Sequence, residues 1–156
     1  MMTQDYFKQM VADLKATYKD QLCEESLADI DAAPTLADFI GVLKKYAAFL
    51  KYKNIPKAEW ARKWFGDYLE EANAEGCYLD QRIYLQNPQI PIVLFGDCAA
   101  NLMIQENGLY SITCQDNSQL FIFAMSPCFL RVRLKDGSTA HKAYIHKKAQ
   151  VKIRKV

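Results

Sequence analysis

The chain has few of the residues that usually announce chemistry. Its 156 residues include two histidines, six glycines and five cysteines. No two cysteines form a Cys-x-x-Cys pair, and His141 and His146 have no cysteine or carboxylate pair at ligand spacing. A structural zinc site takes four thiolate or imidazole ligands from close pairs, so no metal is expected. The glycine-rich phosphate loop, the Gly-x-Ser-x-Gly elbow and the His-Glu-x-x-His motif are all missing, so no cofactor and no enzyme activity is expected. Apolar runs such as Ile90 to Phe95 are far shorter than the roughly 20 residues of a membrane span. Met1-Met2-Thr3-Gln4-Asp5 lacks a basic stretch leading into an apolar one, so neither a membrane partner nor a secretory leader is expected. Cys23, Cys77, Cys98, Cys114 and Cys128 are odd in number and widely spaced, a pattern that suits free thiols in the cytoplasm.

What is present is core-forming material. Hydrophobic residues make up 51% of the chain and charged residues 24%, which excludes disorder, collagen and coiled-coil arrays. The net charge of +2 hides an asymmetry. Residues 1–75 carry ten basic and thirteen acidic side chains, whereas residues 131–156 carry nine basic side chains and one acidic, Asp136. A basic end of this kind can meet an anionic partner such as nucleic acid, or it can simply keep a sheet edge solvated.

Residues 1–76 read as a helical cap of three helices. Phe7, Met10, Val11, Leu14, Tyr18 and Leu22 recur at helical spacing, with Glu24-Glu25-Ser26 as an interruption. Thr35 and Asp38 form a capping pair ahead of a second stripe, Leu36, Phe39, Ile40, Leu43, Tyr46, Ala47 and Leu50. A third helix runs from Pro56 through Trp60, Trp64, Phe65, Tyr68, Leu69 and Ala72 and stops at Gly76. Those aromatics suit a core better than a ligand cage.

Residues 77–156 change period. A strand-like stretch at 77–85 precedes blocks of ten residues counted from Gln86. Their turn pairs are Gly96-Asp97, Glu106-Asn107, Asp116-Asn117, Ser126-Pro127 and Asp136-Gly137. Even positions, from Ile90, Ile92 and Leu94 to Leu130, Val132 and Leu134, are apolar or small and define an inward face. Cys98, Cys114 and Cys128 share it, which leaves Cys23 and Cys77 as the expected reactive thiols. The phase slips near His141-Lys142, where an extra residue implies a bulge. The pattern predicts an α+β chain: a helical cap followed by a β-solenoid with two blocks per coil, placing Tyr110 over Leu130 and Ile112 over Val132. An antiparallel meander or sandwich is the alternative. Two-residue hairpins fit it poorly, because the residues flanking each turn would fall on opposite faces.

On the outward face, Phe121, Phe123 and Met125 stand in one block. Phe129, Arg131, Arg133 and Lys135 follow in the next, an aromatic and thioether patch beside a basic strip. Either this is a contact surface or the helical cap folds over it; the sequence is compatible with both.

The chain resembles a loose group of uncharacterised proteins from gut Bacteroidetes and their phages and mobile elements. The residues that carry the resemblance are KAEWARKWF at 57–65, Gly76-Cys77-Tyr78-Leu79-Asp80, Asn87-Pro88, Val93-Leu94-Phe95-Gly96 and the strand repeats ending in Val151-Lys152-Ile153-Arg154-Lys155. The resemblance implies a mobile-element origin and supplies no catalytic residues. The expected function is therefore a non-enzymatic structural or interaction protein that meets a protein partner or a second copy. The alternative is a nucleic-acid-binding or phage-type inhibitory protein using residues 131–156.

Overall fold

A computed structural model of the chain describes residues 1–46 and 55–156. Ala47 and Leu50 of the second expected helical stripe lie outside the described residues.

Thr3 opens the first helix, α1 (Gln4–Thr17), by accepting the Tyr6 N–H on its hydroxyl at 3.3 Å. Phe7, Met10 and Leu14 form its buried stripe. The helix ends before Leu22, and Glu24-Glu25-Ser26 begins a new one, α2 (Glu24–Ala32). Carboxylates favour the positive end of a helix, so the residues expected to interrupt a helix in fact start one. Thr35 caps α3 (Leu36–Tyr46) by accepting the Asp38 N–H at 3.2 Å. The third expected helix is also divided, into α4 (Ala58–Phe65) and α5 (Leu69–Ala74), at Gly66-Asp67, both poor helix formers. The described cap thus has five short helices where the periodicity predicts three.

The helices pack on one another through Phe39, Trp60, Phe65 and their neighbours, in edge-to-face and tilted ring contacts. Both tryptophans point their indole N–H groups at Asp13 Oδ2, Trp60 from 3.0 Å and Trp64 from 2.7 Å. This satisfies the polar tips of two buried aromatics with a single carboxylate.

The second half is a parallel β-solenoid. Its strands are β1 (Cys77–Leu79), β2 (Arg82–Gln86), β3 (Ile92–Phe95), β4 (Ala99–Ile104), β5 (Leu109–Cys114), β6 (Gln119–Ala124), β7 (Phe129–Leu134), β8 (Thr139–Ile145) and β9 (Gln150–Lys155). Odd-numbered strands form one sheet, β1-β3-β5-β7-β9, and even-numbered strands the other, β2-β4-β6-β8. Tyr110 pairs with Leu130 and Ile112 with Val132, as the two-block coil requires, and the antiparallel alternative is excluded. The register slips between Ile122 and Phe123, whose partners are Lys142 and Tyr144, so the bulge falls at Ala143.

Between the sheets lies a column of fully buried side chains that includes Leu94, Leu102, Ile104, Ile112, Leu120, Ile122, Leu130 and Val132. Cys98 and Cys114 share it. Ile90 does not: it is 42% exposed, because Pro88 and Pro91 hold it in a connection rather than in a strand. Strand β3 is buried on both sides, with Ile92 and Leu94 facing the solenoid interior and Val93 and Phe95 entering the core of the helical cap. Cys77 and Leu79 of β1 do the same, so the helices seal the outer face of the first sheet at its N-terminal end. Cys77 is 1% exposed and cannot be the reactive thiol expected from its position outside the repeats.

The turn pairs resolve into two different stacks. Where the first sheet passes to the second, Asp80, Gly96, Asp116 and Asp136 all adopt positive φ. Asp116 Oδ2 accepts the Gly96 N–H at 2.8 Å, and Asp136 Oδ2 accepts the Asp116 N–H at 3.3 Å. Each aspartate ties its own coil to the one before. At Gly96 an added Cβ would fall on Asp80 Oδ1, so glycine alone fits. Ser118 and Ser138, following in the same turns, donate to backbone carbonyls, to Gly96 O at 3.1 Å and to Lys135 O at 2.6 Å. The cap is joined to this stack by Arg62 of α4, whose guanidinium forks onto Asp80 at 2.6 and 2.9 Å. The opposite turns, at Asn87, Gln105 and Ser126, are held by Asn87 Oδ1 accepting the Gln105 N–H and by Ser126 Oγ donating to Gln105 O, each at 2.7 Å.

Candidate interaction surfaces

Consecutive ten-residue blocks lie in different sheets, so residues ten apart face opposite ways. This divides the patch expected from the sequence. Phe121, Phe123 and Met125 belong to β6 and its turn in the second sheet. Phe129, Arg131 and Arg133 belong to β7 in the first sheet, on the other side of the solenoid. The aromatic patch and the basic strip are two surfaces rather than one.

The second sheet presents its outer face in columns of residues about 20 apart. One column runs Tyr84, Asn101, Phe121, His141, and the next runs Gln86, Met103, Phe123, Tyr144. Phe121 and His141 stack with ring centroids 5.0 Å apart and planes 19° apart. Tyr84 is 59% exposed, Tyr144 51% and Met125 44%, while Phe121 and Phe123 are half-buried by their neighbours in the columns. Among the described residues, the helical core includes β1 and β3 side chains and none from this sheet, so the described helices leave the face open. Tyr84, Met103, His141 and Tyr144 are missed when adjacent blocks are paired. Stepping 20 residues from Phe121 and Phe123 finds Met103 and His141, and the bulge moves the last partner by one, to Tyr144.

The first sheet presents a different surface at its C-terminal end. Arg131 stands opposite Lys152, and Arg133 opposite Arg154. Lys135 does not join them, contrary to the alternation that places it in the same strip: it is 3% exposed, and its ammonium has no hydrogen-bond partner among the described residues. The outer column at that edge runs Leu79, Phe95, Gln115, Lys135. The cap core takes in the first two, and burial continues along the column to the last. Desolvation holds the Lys135 ammonium down to about 8.

The remaining ionisable groups are mostly structural. Burial pushes the Cys77 and Cys114 thiols up to about 12 and raises those of Cys98 and Cys128, which keeps them protonated and unreactive. Hydrogen bonding from Arg62 holds Asp80 below the usual carboxylate range, and the Trp64 indole does the same for Asp13. Among the described residues, no three His, Cys, Asp or Glu side chains are grouped to hold a metal ion, and no helix is long and apolar enough to cross a membrane.

Compared with family models, curated proteins and solved structures, the chain matches none.

Proposed function

We propose that this chain is a non-enzymatic interaction scaffold, in which the solenoid holds the outer face of the second sheet flat and rigid for a protein partner. The observation that carries this reading is the open double column of Tyr84, Met103, Phe121, Phe123, His141 and Tyr144, beside Met125, on the sheet that the cap leaves free. Aromatic side chains bury large areas at low entropic cost, and both aromatics and methionine are enriched at protein interfaces. A parallel stack held by backbone ladders and by aspartates in its turns fixes their spacing before any partner arrives. The thiols suit a cytoplasmic setting. With the resemblance to phage and mobile-element proteins, a partner of host or phage origin is the one to seek.

The test is site-directed photocrosslinking in the native host. A photoreactive phenylalanine analogue at Tyr144 is expected to yield a discrete adduct with one protein, and the same analogue at Gln150, on the opposite face, none. Equal adducts from both positions, or none from Tyr144, would overturn the reading.

A further inference from the structure

The outer face of β7 and β9 carries four cations in two facing pairs, Arg131 with Lys152 and Arg133 with Arg154. Neighbouring strands are about 4.8 Å apart and alternate residues along a strand about 6.6 Å, so four positive charges share a small flat area. No Asp or Glu occurs in β5, β7 or β9, and among the described residues none of the four makes an ion pair. Partial burial, with repulsion from Arg131 and Arg154, lowers the Arg133 guanidinium from its ordinary value. Like charges directly opposite each other weaken a sheet, so this arrangement costs stability.

Edge protection does not account for it. Strand β7 is interior, paired on both sides by β5 and β9, and its outward arginines guard no edge. The open end is blunted elsewhere, by the bulge at Ala143 and by Lys142 and Lys155, which take inward register positions opposite Ile122 and Leu134.

Beside the cations lies a hollow of about 440 Å³ lined by Leu109, Tyr110, Ser111, Phe129 and Arg131. Leu109 is 85% exposed. The Phe129 ring has the Arg131 guanidinium 6.0 Å and the Lys152 ammonium 5.4 Å from its centroid. An apolar platform flanked by unpaired cations matches a ligand with a flat hydrophobic part joined to an anion.

We propose that this face binds single-stranded nucleic acid, with a base against Phe129 and Leu109 and the phosphates along the Arg131–Lys152 and Arg133–Arg154 pairs. The guanidinium fork suits phosphate oxygens, and stacking on an aromatic ring beside a positive track is how unpaired strands are held. A duplex fits less well, because no described element projects from the flat face into a groove. An acidic protein segment would meet the cations but leave the hollow unfilled.

The experiment uses the full chain and a fluorescent oligothymidylate, read by anisotropy across a salt series. With four phosphates engaged, log K is expected to fall against log salt with a slope of about −3. Arg133→Gln should make that slope shallower by about 0.7, and Lys152→Gln, on the edge strand, should do the same. Phe129→Leu should weaken binding about tenfold with the slope unchanged. Phe123→Ser, on the other sheet, should bind as the parent does. Absence of binding at low salt, equal affinity for a duplex of the same length, tighter binding of oligoglutamate, or a slope indifferent to both Arg133→Gln and Lys152→Gln would each overturn the proposal.

Discussion

One column of the first sheet runs through Cys77, Val93, Thr113, Arg133 and Arg154. Its backbone is the same parallel ladder throughout, yet it begins in the core of the helical cap and ends in guanidinium groups that make no ion pair among the described residues. The alternation of a strand decides which side a residue faces. What covers that side decides its chemistry. At the N-terminal end the helices make an outward position a core position; three coils on, where the described cap core no longer reaches, the same column carries charge. The second sheet has no such gradient: no described helix covers its outer face, whose columns carry Tyr84, Met103, Phe121, Phe123 and Tyr144 from one end to the other.

The largest test of this contrast exchanges residues within the column. Val93→Arg places an unpaired charge under the helices and should cost roughly 3–5 kcal/mol, seen as a lowered denaturant midpoint. Arg133→Val, two coils away, should change stability by less than about 0.5 kcal/mol or raise it slightly. Equal effects would mean that the cap does not seal the N-terminal end.

Lys135 gives a second test. It lies in the neighbouring column, outward by register and buried in fact, with an ammonium held down to about 8. A depressed lysine pKa in the folded state penalises folding while the group is protonated. The penalty is full below pH 8 and fades as pH rises toward the unfolded value near 10.4. Lys135→Met should therefore stabilise the fold at neutral pH by on the order of 1–2 kcal/mol, seen as a raised melting temperature, with the gain shrinking above pH 8. A gain independent of pH would show that the amine is solvated.

A smaller effect is expected where cap meets solenoid. Asp80 titrates below the usual carboxylate range because Arg62 forks onto it. Its contribution is present above the unfolded value of about 3.9 and is lost as pH falls through the lower folded value. Arg62→Met should lower the melting temperature at neutral pH by about 2–4 °C, the equivalent of roughly 1 kcal/mol, and this difference should narrow in acid. A constant difference from pH 7 to pH 3 would count against the Arg62–Asp80 fork as its source.

The solenoid was legible because its ten-residue period and even-position apolar pattern are properties of the strands themselves. The slip near His141, found at Ala143, was readable for the same reason. The cap was read less well. Helical stripes continue across short breaks, so Tyr18 keeps its place in the buried face although α1 ends at Thr17. The candidate surface was half legible: the outward residues were found, but their neighbours were misjudged. Adjacency in a solenoid lies 20 residues away and not ten, which separates Phe123 from Arg133 and joins it to Met103 and Tyr144. The burial of Cys77 depends on how the cap meets the sheet, which no local pattern encodes, and nothing in the alternation marks Lys135 as buried.

If the aromatic face of the second sheet is an uncovered contact surface, Phe123→Ser will show it when thermal melting and partner capture are measured on the same variant. The expected result is a melting temperature within about 2–4 °C of the parent together with loss of the partner crosslinked through Tyr144. A loss of about 3–5 kcal/mol in stability with capture unchanged would show that Phe123 belongs to a core, and would contradict it.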